Sequence, residues 1–563
     1  NQAGYTPGRS KVAAIELDPN FKAPGEATLV KLTAEGKAEP VLTAGIRQWG
    51  KWMRYQYATF DFSDVRDPGL YAISYAGHTT GPFRISPDAY DHIWQASLDT
   101  YLAEQMDHMK VREQYRIWQG TSHLDDARQA PSNHVHFDGY RMGAELDSPY
   151  KPGEHIPGLD VGGWQDAGDY DIQTPSNAFV VRDLVWGREI FGLDWDETSV
   201  DEAARFVQIR KPDGVQDSIQ QIRHGTLQLL AQYKVFGHAI VGIISPTLRQ
   251  YTHLGDAASQ TDGKIYDPNL GELKSSGDYS GKPDDRWAFT ADLPAVDLAM
   301  AAALAGASRV LQDSDPKLAG EALAAAKALW QAQRKRIDGN ADQSDGRGGP
   351  GMLAMSDASA TIELLIATHG DSVYRARLKH LLPSIKQNFE WIGGAAVLAI
   401  PYMSADYKAQ LVPVVRALKA QIDVERARNP FGVPISEGSW AGSHQVAAFG
   451  SSMYLLHRAF AEIIGTEYTL DALDYLLGRH PANNLSLVSS VGTESKLIGY
   501  GHNRADYSFI AGGLVPGVLI VKPDFPELKT DWPFLWFENE YTVSTTSAYI
   551  LAANAAIAAT KEQ

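Results

Sequence analysis

The sequence predicts a mainly α protein, with a small antiparallel β-sandwich over residues 1–86 and a large helical domain over 87–563. Three observations carry this. The first stretch holds short alternating or β-rich runs, KVAAIEL, ATLVKLT, YATFDFS, GLYAISY and GPFRIS, separated by Gly, Pro and Asp turns. From Asp88 onward apolar residues recur at spacings of three and four, and this change of period sets a boundary near Pro87. Small-residue stretches such as AMAAALAGASRV, EALAAAKALW and ILAANAAIAA let helices approach closely, which suits two concentric helical layers.

Taken in order, helices are expected over 88–109, 176–190, 214–236, 291–311, 316–334, 353–369, 372–391, 405–423, 442–464, 468–478 and 543–560. With a missed element the count is roughly twelve, and no fixed-period repeat links them. Long connections rich in Gly, Asp, Asn and Pro lie between, at 110–165, 244–287, 335–352 and 479–542. Structureless loops of that length are uncommon in a compact domain and usually functional, so the chemistry is sought there.

Composition narrows the chemistry. The 51 Lys plus Arg against 68 Asp plus Glu leave a formal charge of −17, too acidic for a phosphate-backbone binder, so no nucleic-acid partner is expected. Zero cysteine removes disulfides, thiolate metal sites and Cys nucleophiles. The 13 Trp and 25 Tyr suit neutral polyhydroxylated ligands, whose apolar faces stack on rings while carboxylates accept their hydroxyl hydrogen bonds. No run of about 18 uncharged apolar residues occurs, so neither a transmembrane helix nor a membrane partner is expected. The opening NQAGYTPGRSKVAAIEL reads as a processed or trimmed start without a signal peptide.

Three stretches could carry chemistry. In GGWQDAGDYD, Gly162–Asp171, Asp166 and Asp169 flank Ala167 and Gly168. This is either a solvated acidic turn or calcium loop, or a carboxylate pair holding one water that an ionised member deprotonates. In WFENEYTVSTTSAY, Glu538 and Glu540 follow Trp532, Phe534, Trp536 and Phe537. Apolar surroundings lift a carboxyl toward the pKa of a general acid, whereas exposed glutamates there would only complement a helix dipole. The third, GTESKLIGYGHNR, ends in His502 and Arg504, which could clamp ligand hydroxyls or a carboxylate.

Together these stretches resemble glycoside hydrolase family 9, the inverting cellulase-type family, over nearly the whole chain. Asn1 to Tyr5 followed by KVAAIE is similar to the start of the immunoglobulin-like module found ahead of many of its catalytic domains. GGWQDAGDY resembles its water-holding loop, SHLDDA (122–127) its Cys-His-x-x-Asp-Ala stretch, and NPFGVPI (429–435) and YLLGRHP (475–481) its landmarks before the His-x-Arg loop. Asp531 with Trp536 and Glu540 resembles its acid-bearing signature. The resemblance implies an (α/α)6 barrel behind an immunoglobulin-like β-sandwich, and inverting hydrolysis of β-1,4-glucosidic bonds in cellulose, cello-oligosaccharides or a related β-glucan. It assigns Asp169 as general base, Asp166 as orienter of the water and Glu540 as general acid. His502 and Arg504 would grip the sugar, Asp531 would buttress Glu540, and Trp164 and Trp536 would contact substrate. For inversion the two carboxyls stand about 6.5 to 9.5 Å apart, leaving room for the water. Glu538 is the rival acid.

Departures from the pattern matter too. Ser122 stands where many relatives have Cys, so no structural zinc is expected. Lys529 replaces an aromatic, Thr546 an Asn, and the loop before His502 is about two residues longer than the family pattern. The segment 128–161 is also longer than the pattern, and either walls off one end of the cleft or is a surface excursion. An exo-acting β-glucosidase or exo-β-glucosaminidase therefore stays open, as does a carbohydrate-binding protein without turnover. The Trp49, Trp52, Tyr55 and Tyr57 cluster is either a sugar platform or packing against the barrel. No cofactor is required. Calcium is left open as a structural ion, because DGKIYDPN and KPDDR have oxygen ligands without an ordered spacing. A polysaccharide substrate implies a secreted or periplasmic enzyme.

Overall fold

A computed structural model describes residues 1–562 apart from 126, 247–260, 339–349, 439, 498, 500–508 and 533–534. The N-terminal segment forms two antiparallel sheets. In one, Tyr55–Asp61 runs between Val12–Leu17 and Arg47–Trp52. In the other, Glu26–Leu32 and Gly69–Tyr75 are central, flanked by Ala38–Gly45 on one side and by Phe83–Ile85 and His78–Thr79 on the other. Their alternation sends Leu29, Phe60, Tyr71, Ile73, Phe83 and Ile85 inward with Tyr5 and Phe62, making the core of an immunoglobulin-like β-sandwich.

Charge and aromatic rings bind the sandwich to the helical domain. Asn1 Nδ2 donates to Asp474 Oδ1 at 2.8 Å, and Arg9 Nη2 meets Asp474 Oδ2 at 2.7 Å. Burial works against the charge of Asp474, yet Arg9 and Arg479 hold its carboxyl below the usual range. Trp52 and Tyr57 meet Phe431 edge-on at 5.7 and 5.6 Å, and Trp49 and Tyr55 pack on the same core. This aromatic cluster is therefore an interdomain contact.

Among the described residues, six helices form a closed inner ring. Thr174–Phe191 lies between Val543–Thr560 and Pro294–Val310; the ring continues through Pro350–Ala367, Phe389–Leu398 and Ser443–Ala459, which closes on Val543–Thr560. An outer layer alternates with it along the chain: 95–104, Asp217–Phe236, Pro316–Asp338, Ser372–Gln387, Ala405–Arg426 and Glu467–Leu476. This is an (α/α)6 barrel. The inner helices Pro294–Val310 and Val543–Thr560 are buried on nearly every side, so they carry no polar stripe. Small residues set the close spacing between layers: a Cβ placed on Gly450 would stand 2.8 Å from the Ala472 side chain.

Two helix expectations are corrected. The run 372–391 is not one helix, because Asn388, at φ −111° and ψ 29°, ends Ser372–Gln387 and starts Phe389–Leu398, taking the chain from the outer to the inner layer. Apolar spacing persists through the break, so the periodicity conceals it. The segment 88–109 is helical only over 95–104 and contains a buried π-turn, Ser97–Leu102, whose Ser97 hydroxyl donates to Gly512 O at 2.7 Å.

The long connections also carry structure. Arg128–Gln129, Trp287–Phe289, Gly242–Ile244 and Ile172–Gln173 form a four-stranded sheet. Ile172 directly follows Asp171, so this sheet supports the GGWQDAGDYD loop. Among the described residues no helix is long and apolar enough to cross a membrane.

Candidate active site

The loop Gly162–Asp171 enters the barrel through two glycines in left-handed conformation. At Gly162, φ +66°, a Cβ would lie 2.3 Å from the His224 carbonyl oxygen, so only glycine fits there. Trp164 is fully buried; its N–H meets Asn177 Oδ1 at 3.0 Å and its indole Nε1 donates to Gln221 Oε1 at 2.7 Å. The expectation that Trp164 contacts substrate is corrected: its ring anchors the loop to the helices Thr174–Phe191 and Asp217–Phe236.

Beyond this anchor the acidic residues gather. Asp166 is buried, with Oδ1 lacking a hydrogen-bond partner, and burial pushes its carboxyl up to about 6 against the opposing hydroxyl of Ser176. Asp169 is pushed up to about 7 by burial and by the charges of Asp166 and Asp138. Asp171 is buried too; its Oδ1 accepts the Ser245 N–H at 3.0 Å while Oδ2 has no hydrogen-bond partner. Burial and Asp169 hold Asp171 well above the ordinary carboxylate range. Carboxylate oxygens of Asp138, Asp169 and Asp171 lie within 4.8 Å of one another.

Glu540 reaches this cluster from the other end of the barrel domain's sequence. It leaves the short helix Trp536–Asn539 in extended conformation, three residues before Val543 opens the last inner helix. The Val543 N–H donates to the Asp166 carbonyl oxygen at 2.9 Å, tying the two segments together. Burial, then Asp169, Asp166 and Asp138, hold the Glu540 carboxyl well above its ordinary value, the direction a general acid needs. Tyr101, buried beside them, responds to both Asp166 and Glu540 and meets Tyr541 edge-on at 5.8 Å.

Glu538 faces elsewhere. Its Oε2 accepts the Lys529 N–H at 2.7 Å, and burial, Glu527 and Lys496 set its charge state; the aspartates do not. Two residues apart on one strand of chain, the rival acids thus point to different surroundings. Asp531 is exposed and its charge acts on Lys496, on the Glu538 side. Trp536 remains partly exposed, at 39%. His502 and Arg504 lie outside the described residues.

A buried ion pair underlies the loop. Asp107 meets Arg286 Nη1 at 2.6 Å, accepts the Ser122 hydroxyl at 2.8 Å, and lies 3.2 Å from His123 Nδ1. Although burial works against its charge, Arg286, His108 and His123 hold Asp107 well below the usual range. Arg286 Nη1 also donates to the carbonyl oxygen of Tyr170 at 2.6 Å. Tyr170 sits between Asp169 and Asp171 at φ +61°, a conformation that a bulky side chain adopts only when its surroundings impose it.

Several residues here escaped the reading of the sequence. Asp138 and Tyr140 come from the 128–161 excursion, where His136 N–H donates to Tyr140 O at 2.8 Å and Gly139 N–H to His136 O at 2.9 Å, making a tight turn. Tyr140 is buried and its hydroxyl is raised by burial and by Asp171, Asp166, Asp169 and Asp138. The excursion therefore ends against the acids. Its DG turn was the available signal; Arg286 gave none.

Comparison with known proteins shows the family and the fold. The family model described as "Glycosyl hydrolase family 9" matches residues 90–549, and that of the "Cellulase N-terminal ig-like domain" matches 1–80. Endoglucanase C of Cellulomonas fimi is 24% identical over 527 residues, 86% of this chain, which spans 43% of that relative's length. A metagenome-derived glycoside hydrolase family 9 endoglucanase superimposes with a TM-score of 0.72 at 20% identity, over 99% of this chain and 98% of the other. A single mutant of a thermostable endoglucanase from Alicyclobacillus acidocaldarius gives 0.70 at 17%, over 99% and 98%. A family 9 protein of Bacteroides ovatus gives 0.71 at 18%, with the same coverage.

Proposed function

The chain belongs to glycosyl hydrolase family 9, and we propose that it hydrolyses β-1,4-glucosidic bonds in cellulose, cello-oligosaccharides or a related β-glucan with inversion at the anomeric carbon. The observation that carries this reading is the backbone bond from the Val543 N–H to the Asp166 carbonyl oxygen, which brings the segment of Glu540 against the loop of Asp166 and Asp169, with burial raising all three carboxyls. In the reaction Glu540 gives its proton to the leaving glycosidic oxygen. Asp169 takes a proton from a water on the opposite face of the sugar, and Asp166 orients that water. The water oxygen bonds to the anomeric carbon as the glycosidic bond breaks, so one displacement inverts the centre. Trp536 offers a ring on which a sugar face can stack, and His502 and Arg504 are proposed to grip its hydroxyls. A polymeric substrate supports a secreted or periplasmic setting.

The test is release of reducing sugar from cello-oligosaccharides, with polarimetry to follow the anomer formed first. Asp169→Ala and Glu540→Gln should each lose at least about a hundredfold in kcat. Full turnover in both variants overturns the assignment, and binding of β-glucans without turnover by the intact protein favours a non-catalytic carbohydrate-binding role.

One observation favours a second reading, an exo-acting β-glucosaminidase. The turn that carries Asp138 brings a further carboxylate against Asp169 and Asp171, within 4.8 Å. An ammonium group on a terminal sugar would neutralise that excess of negative charge, which a neutral glucose cannot do. Parallel assays on cello- and chitosan-oligosaccharides decide it: a kcat/KM at least about tenfold higher on the amino sugar selects the second reading, and the reverse selects the first.

A further inference from the structure

Away from the catalytic acids, a second group of carboxylates closes the base of the 261–286 segment. Asp125 follows the SHL stretch, Asp262 opens DGKIYDPN, and Asp284 and Asp285 lie in KPDDR. Carboxylate oxygens of Asp125, Asp262 and Asp284 all lie within 4.8 Å of one another.

An acidic cluster alone is ordinary; the state of its buried member is not. Asp284 is 1% exposed, and neither of its carboxylate oxygens has a hydrogen-bond partner. Asp125 Oδ1 and Asp285 Oδ1 are buried without a partner as well. Of the other oxygens at the cluster, Asp285 Oδ2 takes Arg128 Nε at 2.8 Å and the Tyr266 N–H at 2.7 Å, Asp125 Oδ2 takes the Gly263 N–H, and Asp262 Oδ1 takes the Lys264 N–H at 2.8 Å. Arg128 donates to Asp285 and, through Nη2, to the Asp125 carbonyl oxygen, and turns no N–H to Asp284. A buried carboxylate without donors is costly, and three neighbouring carboxylates of the same sign raise that cost.

We infer that Asp125, Asp262 and Asp284 form a calcium site, with Asp285 beside it, that staples the 261–286 segment to the 122–128 segment. The donor set is oxygen only, comes from three separate stretches of chain and includes several carboxylates, which suits a hard cation with flexible coordination. Magnesium, which demands regular octahedral geometry and retains several waters, suits it less. The staple matters to the catalytic loop because Arg286, two residues after Asp284, holds the Tyr170 carbonyl.

The test uses the full chain freed of metal by a chelator, then titrated with calcium chloride by calorimetry, with thermal unfolding followed in parallel. Wild type should take up one more calcium per chain than Asp284→Asn, and saturating calcium should raise its Tm by a few degrees more. In chelator, Asp284→Asn should melt no lower than wild type, because the substitution removes an uncompensated buried charge. Asp262→Asn, at a partly exposed position, keeps the fold and should weaken this binding at least about tenfold. Equal stoichiometry and equal Tm response in wild type and both variants overturns the site, and an equal response to magnesium overturns the choice of ion.

Discussion

The N–H of Val543 donates to the carbonyl oxygen of Asp166 at 2.9 Å, a backbone bond between residues far apart in the chain. It joins the loop that carries Asp166 and Asp169 to the start of the helix that Glu540 precedes. The placing of the proposed base and acid relative to each other is therefore supported by main chain, which mutation of either carboxyl does not disturb. Substitutions at Asp166, Asp169 and Glu540 should accordingly remove turnover and leave the fold in place.

Asp169→Asn should be more stable than wild type at pH 7. The folded carboxyl titrates near 7 against an ordinary value of 3.8, so between these limits the folded protein binds more protons than the unfolded chain. Its contribution to stability is present below pH 4 and is lost as pH climbs through 7. The gain on neutralising it is about 2 kcal/mol at pH 7, less than the full displacement would give because Asp169 is partly exposed. Denaturant unfolding at pH 7 and pH 4 checks this: the difference between wild type and variant should shrink at the lower pH.

The pH profile of kcat/KM should rise through the region of 6 to 7, where Asp166 and Asp169 ionise, and fall at higher pH as Glu540 loses its proton. The negative charge of Asp138 raises both Asp169 and Glu540. Asp138→Asn should therefore move both limbs to lower pH together. A profile that stays fixed in this variant removes Asp138 from the electrostatics of the site.

Arg286→Met leaves Asp107 buried and unpaired, and should destabilise the fold by about 3 to 5 kcal/mol. The double variant Asp107→Asn/Arg286→Met removes both charges and should recover part of that loss. In either variant the Tyr170 carbonyl loses its donor, so kcat should fall more than KM changes. A double-mutant cycle on stability, with kinetics on the surviving proteins, separates the two effects.

At the domain junction, Asp474→Ala strips Arg9, Arg479 and Asn1 of a shared acceptor. A loss of about 3 kcal/mol is expected, with proteolysis releasing the sandwich before the barrel. Cleavage of both domains at the same rate as in wild type counts against a junction held by Asp474.

Local pattern made much of this legible. Gly162, Gly163 and the Asp166 and Asp169 pair sit within one short stretch, and the helices announce themselves by apolar spacing, so short-range rules reach them. The choice between Glu538 and Glu540 was beyond such rules, since both follow the same aromatic run; the extended turn after Asn539 sends one toward Lys529 and the other toward the aspartates. Trp164 misled because an aromatic beside catalytic acids reads equally as a sugar platform or as an anchor. The break at Asn388 was hidden because the residues on both sides are apolar at the same spacing.

Composition, the change of period near Pro87 and the acidic Gly-rich loop pointed by themselves to a sandwich and a two-layered helical domain, and left the loop open between a solvated turn, a calcium loop and a carboxylate pair. Which acids meet, the addition of Asp138 and Asp171, and the support of Tyr170 by Arg286 were decided only when segments hundreds of residues apart came together. The physical reason is that helix period and turn chemistry act over a few residues. The charge state of a buried carboxyl is instead set by every group that folding brings within a few ångströms of it, and sequence distance holds no measure of that.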